Sequence, residues 1–510
     1  MLTLPVVSSA LLSLTPVAHG APQVGAILRT ETVGDVAVER RALNGVDPAE
    51  DVLTQHTWAR MFASDETERG DRWFLEGRFQ HHVLVGDDVE AWYELGLGES
   101  GWDGRLGGPE SPARLRAGVL RERWGKTDLL PVLDVLNPTD ARIGPLTDPA
   151  HRRLPVPMAT LQLGTGRFRS ETTVIPFAGA DRLWLRETDW SLIRQDMVED
   201  FIQNDLGRDP LVDGWFDELP LADQDVLRPT IDAALENVQN LDPSLRRGQD
   251  YTTNTDGLPQ AFVGNGELAQ RLEWRGNNVD VALVGGLLRS TFPQAVLDAE
   301  FRNVLEQEAL PQGTDEQSAL QQAALVGTPL EVTWPRTAMA GIEGSGLVGP
   351  LQVRAEAGYW TDRVVRRHFG NSQTVPQAAA AVGIDYVRGT TFLATLEARW
   401  QHLFDAPGDL VFSKPDQVQI ALGVQASFLA ERLKLTVGGA YDASFQELML
   451  RPTLAWRVSD RVQLEAGGLV LEGFETDAPA GLLEALTYEG GPASFWSQND
   501  SVTVALSLFL

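Results

Sequence analysis

The feature that most constrains this chain is a strict alternation of apolar residues with polar or small ones, sustained over segments as long as a membrane-crossing strand. In residues 417–428, Val418, Ile420, Leu422, Val424, Ala426 and Phe428 fall on one face, with Gln417, Gln419, Ala421, Gly423, Gln425 and Ser427 on the other. After Ala430-Glu431-Arg432, Leu433, Leu435, Val437, Gly439 and Tyr441 alternate with Lys434, Thr436, Gly438, Ala440 and Asp442. Successive side chains of a strand point to opposite faces, so these segments read as a hairpin with one apolar face. The pattern repeats through 448–458 and 462–470 around Ser459-Asp460-Arg461, and upstream at 351–360, 379–387 and 392–402.

A soluble sandwich alternates in the same way. No stretch beyond the N-terminus approaches the ~18–20 apolar residues of a membrane helix, whereas a membrane strand needs only about 9–11. Three details favour a membrane barrel. The links at 388–390, 430–432 and 459–461 are tight, while 361–376, 403–416 and 473–500 are long and polar, as short periplasmic turns and long external loops would be. Tyr359, Trp360, Tyr386, Trp400, Tyr441 and Trp456 gather near strand ends, where an interfacial girdle would put them. The chain stops inside an alternating strand, 501–510, whose Phe509 resembles the terminal aromatic read by outer-membrane barrel assembly machinery.

Further strands are expected at 52–63, 72–85, 90–99, 113–124, 157–164, 168–177, 267–275, 279–289 and 331–343. A single-chain bacterial barrel has an even strand number with both ends periplasmic, so the total of about 17 needs one more or one fewer. Gly25 to Arg40 would supply the missing strand. The expected fold is all-β: a transmembrane antiparallel β-barrel of about 16–18 strands over residues 51–510. Residues 22–50 are a periplasmic segment or first strand, and residues 1–21 read as a signal peptide from an apolar run leading into Ala18-His19-Gly20-Ala21.

Helical insertions in long external loops are expected at about 183–265 and 291–330. Ile193, Met197 and Phe201 have helical spacing, as do Val226, Ile231, Leu235 and Val238, and then Val296, Leu297, Phe301, Val304 and Leu305. The first insertion is crowded with Asp and Glu, either a solvated face or a cation site, and contributes to a net charge of −29. That balance argues against a nucleic-acid partner, because phosphates would be repelled. With no cysteine, thiol chemistry and Cys-ligated metals are excluded. The histidines show no metal-protease spacing and no G-x-S-x-G elbow is present, so no catalytic residue, metal or cofactor is assigned.

With the apolar face towards lipid, the lumen receives Arg271, Glu273, Arg354, Glu356, Asp385, Glu397, Arg399, Lys434, Arg451, Arg457 and Glu465. Such charges either set a selecting field or merely pair and hydrate the wall. The loop at 125–156 is rich in turn formers. Trp124 is expected to end a strand at the interface, Asp128 and Asp140 to cap turns, and Asn137-Pro138 to turn the chain. Folded inward it would constrict the lumen, and otherwise it covers the rim.

Between 114 and 177 the order Trp124-Gly125-Lys126-Thr127-Asp128, Asp134-Val135-Leu136-Asn137-Pro138-Thr139-Asp140 and Ile175-Pro176-Phe177 is distinctive. With Gly341-Ile342-Glu343, Gln352-Val353-Arg354-Ala355-Glu356 and Val382-Gly383-Ile384-Asp385-Tyr386, it resembles a functionally ill-defined family of Gram-negative outer-membrane β-barrels, porin-like and loosely akin to the alginate-export porins. The resemblance implies passage of a solute, or export of a lipid or polymer, through the outer membrane, with no catalytic residues. Outer-membrane lipid, the assembly machinery and inner-membrane or periplasmic transport components are the expected partners. Two other readings stand beside it: an adhesive or structural barrel with a plugged lumen and partner-binding loops, and a barrel-borne hydrolase.

Overall fold

A computed structural model describes residues 23–35, 53–67, 70–85, 89–107, 111–141, 152–182, 266–297, 330–479, 482–497 and 499–510. Residues 1–21, expected to be a signal peptide, and the insertion expected at 183–265 lie outside the described residues.

Backbone amides in hydrocarbon must be paired within the protein, and a sheet achieves this only by closing on itself. The chain does so with eighteen antiparallel staves. They begin with β1 (Gln23–Asp35), β2 (Leu53–Glu66), β3 (Arg72–Val85), and β4 (Val89–Leu97), which continues past Gly98-Glu99 as β5 (Ser100–Arg105). Next come β6 (Ala113–Leu120), β7 (Val156–Thr165), β8 (Phe168–Ile175), β9 (Glu267–Arg275) and β10 (Val279–Arg289). A separate two-stranded pair, β11 (Gln294–Leu297) and β12 (Leu330–Thr333), stands at the base of the second insertion. The barrel resumes with β13 (Arg336–Val348), β14 (Leu351–Arg367), β15 (Ser372–Arg388) and β16 (Phe392–Leu403). After the two-residue rim strand β17 (Leu410–Val411) come β18 (Asp416–Phe428), β19 (Leu433–Asp442), β20 (Glu447–Ser459), β21 (Val462–Gly473) and β22 (Ser501–Phe509).

Closure is made by β1 against β22, from Ile27↔Phe509 to Asp35↔Ser501, so both described ends of the chain lie at the end of the barrel that carries the tight turns. Gln23–Asp35 is thus the strand that makes the count even. The expected barrel stands, with three local differences. Val296 and Leu297 lie in β11, paired with β12, and not on a helix; Phe301, Val304 and Leu305 lie outside the described residues. The C-terminal external loop carries two short helices, α1 (Leu482–Leu486) and α2 (Pro492–Phe495), that strand periodicity does not announce. Trp360 is buried in the interior while its neighbour Tyr359 is exposed, because adjacent strand residues cannot share a face.

The outer surface is apolar. Leu283, Leu287, Ile342, Val382, Leu396, Ile420, Leu422, Leu454 and Val504 are all exposed there, and Tyr359, Tyr386, Trp400 and Trp456 flank them. The inner surface is polar and charged. This inversion of an ordinary soluble fold is that of a barrel whose solvent outside is lipid.

Two outcomes follow. The protein extracted in mild detergent should migrate anomalously on a gel without boiling and shift on heating, and a single unheated and heated position would contradict a closed barrel. Leu422→Arg, at the middle of β18, should cost about 2–4 kcal/mol in reversible unfolding from lipid, whereas Gln425→Arg, facing inward, should cost less than about 1 kcal/mol.

Candidate functional site

The strand β6 ends at Leu120, four residues short of the expected end, because the chain turns there into the lumen. Asn137 ties the two ends of the excursion together. Its Oδ1 accepts from Glu122 N at 2.9 Å, and its Nδ2 donates to Leu120 O at 3.1 Å and Leu154 O at 2.9 Å. Arg153 adds donations to Asn137 O at 3.2 Å and Asp134 O at 3.0 Å, and an ion pair with the Asp134 carboxylate at 2.7 Å. Asp140 lies outside this knot, where its N donates to Arg152 O at 2.6 Å. Beside it Asp181 accepts from Thr139 N at 2.5 Å and Thr291 Oγ1 at 3.0 Å. Burial pushes the Asp181 carboxyl above its ordinary range, against those two bonds.

Residues 123–136 then run along the inner wall, held by wall carboxylates. Trp124 Nε1 donates to Glu171 on β8 at 3.1 Å, and Gly125 N to Glu343 on β13 at 2.6 Å. Lys126 N donates to Glu356 on β14 at 2.8 Å, and the same carboxylate takes Thr127 Oγ1 and Val132 N. Glu397 on β16 accepts three successive amides, those of Asp128, Leu129 and Leu130, each at 2.8 Å. The side chains of Glu343, Glu356 and Glu397 are almost wholly buried beneath the loop. Buried carboxylates need donors, and hydrogen bonds to a charged group are worth about 1.5–3 kcal/mol each.

Arg354 closes the arrangement by donating to Lys126 O at 2.6 Å, pairing with Asp385 at 2.7 Å and Glu397 at 3.0 Å, and meeting the Asp128 carboxylate. Arg271 pairs with Glu343 at 2.6 Å and Glu273 at 2.8 Å, with Lys126 Nζ 3.9 Å from Glu273.

Apolar packing completes the attachment. Leu133 lies against Gly341 and Gly358 on the inner wall, where an added Cβ would come within 2.6 Å and 2.9 Å of its Cδ2. Leu129 and Leu130 join a buried cluster with Ala421, Ala440, Met449 and Leu469 of β18 to β21. The hydrogen bonds of 123–136 to the wall thus fall on β8, β13, β14 and β16, and the tip leucines on β18 to β21. Among the described residues, the wall from β2 to β5 receives none of these bonds.

The structure therefore gathers Arg271, Glu273, Arg354, Glu356, Asp385 and Glu397 with Trp124 and Asp128 in one buried assembly. Trp124, expected at a membrane interface, is instead 2% exposed within it, because the strand has already ended and its indole N–H needs the Glu171 acceptor. Asn137 is the staple at the base of the assembly. Arg399 on β16 borders the assembly, with Asp442, Arg363 and Glu356 as electrostatic neighbours. Lys434, Arg451, Arg457 and Glu465 belong to a different stretch of wall, near Arg29 of β1, which pairs with Glu465 at 2.8 Å and Glu31 at 3.3 Å.

Glu171 and Glu343 are not among the lumen charges expected from the sequence, where Glu343 enters only through the family resemblance, although their alternation places them inward like their neighbours. Nor is the amide ladder Gln377 to Gln401 (3.2 Å) to Gln417 (2.7 Å), which ends on Asp442. In the C-terminal loop, Glu447 accepts from Ala493 N at 2.9 Å and Ser494 N at 3.0 Å, seating α2 beside the packed rings of Phe412, Tyr488, Phe495 and Trp496.

No family model matches the chain, and no curated protein does. Among solved structures, the chain is similar to Pseudomonas aeruginosa OccK5 (OpdH) at 8% identity over 96% of this chain and 98% of that one, with a TM-score of 0.44. It is similar to the outer membrane protein opdK of the same organism at 9% identity over 96% and 99%, also at 0.44. With Salmonella typhi OmpF the identity is 7% over 96% and 97%, and the TM-score 0.40.

Proposed function

We propose that the protein is a porin-like channel in the outer membrane of a Gram-negative bacterium, in which residues 123–136 narrow a water-filled lumen to a selecting aperture. One observation carries this reading: a loop is held inside a closed barrel by the wall's own carboxylates, along one side of the lumen. A rim cover would not need Glu343, Glu356 and Glu397 to accept its backbone amides deep in the wall. Selection then comes from the width of the gap and the charges facing it, and no covalent step is assigned. β22, ending in Phe509-Leu510, is the segment offered to the barrel assembly machinery, and the apolar belt is the surface offered to membrane lipid. The tight-turn end is the surface offered to periplasmic or inner-membrane transport components.

Planar-bilayer recording tests it. The purified barrel should give discrete conductance steps, and replacing residues 124–136 by a short Gly-Ser link should raise the unit conductance about two- to fivefold by removing the constriction. Glu356→Ala/Glu397→Ala should raise it less but add rapid current noise, since the amides left without acceptors cost about 1–3 kcal/mol each and loosen the loop. Silence of both the intact barrel and the loop-replaced form across salts and voltages would overturn the channel reading. Silence of the intact barrel alone would favour a plugged lumen.

A further inference from the structure

The external ends of β18, β19 and β20 carry a second buried polar assembly. Gln419, Asp442 and Glu447 stand directly opposite one another on these three strands and form one inward row. Asp442 and Glu447 are wholly buried, and Gln419 is 3% exposed. Two carboxylates placed directly opposite weaken a sheet when both are charged, and burial raises the cost. Both are nevertheless equipped with donors that favour the charged form. Asp442 accepts the side-chain amides of Gln417 and Gln419, the latter at 2.9 Å, and the backbone N of Ser444 at 2.9 Å and of Phe445 at 3.3 Å. Glu447 Oε2 accepts Ala493 N at 2.9 Å, Ser494 N at 3.0 Å and Ser494 Oγ at 3.3 Å.

The neighbouring side chains do not supply the counter-charge. Lys414 spends its ammonium on Ser444 O and on the face of Phe445. Arg399 belongs to the same row but stands opposite Gln419, two strands from Asp442 and three from Glu447. Two oxygens are also left over: Glu447 Oε1 and Gln419 Oε1 are buried and have no hydrogen-bond partner among the described residues. Because Gln419 Nε2 is bonded to Asp442, the amide oxygen is held beside that carboxylate. Gly491, just before α2, lies over the Glu447 carboxyl, where an added Cβ would come within 2.5 Å of Oε1. Its φ of −89° suits any residue, so glycine serves there to keep a side chain off the carboxylate.

We infer that Glu447 Oε1 and Gln419 Oε1, with the charge of Asp442 in the row between them, hold a hard divalent cation, Mg²⁺ or Ca²⁺. Such ions take carboxylate and amide oxygens and complete their shell with water, and Mg²⁺ in particular binds through one or two carboxylates while keeping several waters. One divalent charge offsets the two buried carboxylates, and the ion engages both leftover oxygens. The site also acts on the lumen. Ala493 of α2 shares a buried cluster with Leu129 and Leu130, so an ion that fixes Glu447 beneath α2 braces the tip of residues 123–136. The inference does not rest on the channel reading.

The test is calorimetric titration of the full-length barrel in detergent, stripped with EDTA, with CaCl₂ and in a second series with MgCl₂. Glu447→Gln retains an oxygen for the α2 donors but removes the charge, and it should lose one equivalent of binding or weaken it at least about tenfold. Weak binding by other acidic residues is common to both proteins and cancels in the comparison. Gly491→Ala keeps both carboxylates and crowds Oε1, and it should show the same loss. EDTA should also lower the temperature at which the wild-type band shifts on a gel, and the added ion should restore it. Isotherms that superimpose for wild type and Glu447→Gln, or a wild type that takes up neither ion, would leave a proton as the counter-charge and overturn the inference, with the channel reading untouched. If Glu447→Gln does not give the heat-modifiable band, Gln419→Leu takes its place with the same expectation, since it removes the amide oxygen and leaves the seat of α2 intact.

Discussion

A strand in hydrocarbon has nowhere to place an unpaired amide, and the pairing of β1 with β22 is what removes the last open edge. Everything else depends on that closure. It separates an outer surface, where Leu and Val side chains face lipid, from an inner one, where charge is tolerated because water and partners are present. It also fixes the polarity of the staves: with both described ends on the tight-turn side, the strand ends joined by the long links β6–β7, β10–β13 and β21–β22 all lie at the opposite end.

Within that enclosure the central event is an exchange of donors and acceptors. The wall strands β13, β14 and β16 bring Glu343, Glu356 and Glu397 to one side of the lumen, and residues 123–136 bring consecutive backbone N–H groups that no sheet or helix satisfies. Each set is costly alone and stabilising together. Arg354 binds both partners at once, reaching a loop carbonyl as well as Asp385 and Glu397. The glycines at 341 and 358 complete the fit by letting Leu133 approach the wall backbone. The loop is thus part of the barrel's interior and sets the shape of the remaining gap.

Much of this was legible in the residues. The alternation from 417 to 470 marks four staves and the face of each, and the same period at 351–360 and 392–402 places Arg354, Glu356 and Glu397 inward. Trp124 was misplaced for a physical reason: an aromatic at the end of an alternating run looks the same whether the chain stops at a lipid interface or turns into the lumen. Trp360 faces inward because its strand parity, opposite to that of Tyr359, overrides its place in a cluster of aromatics. The helical spacing that includes Val296 and Leu297 is overridden by pairing with β12, since a four-residue segment takes its conformation from its partner.

The amino-acid order by itself determined that this chain forms a barrel with a wet, charged lumen, because period-two hydropathy is a local property carried by each strand. Only the tertiary structure decided what the lumen charges do. Whether Glu397 faces water or three amides depends on Asp128, Leu129 and Leu130, more than 260 residues earlier in the chain, and no local pattern encodes that meeting. The same holds at the external end of the lumen. Asp442 and Glu447 face each other because β19 and β20 pair in one register, and that register sets two buried carboxylates side by side.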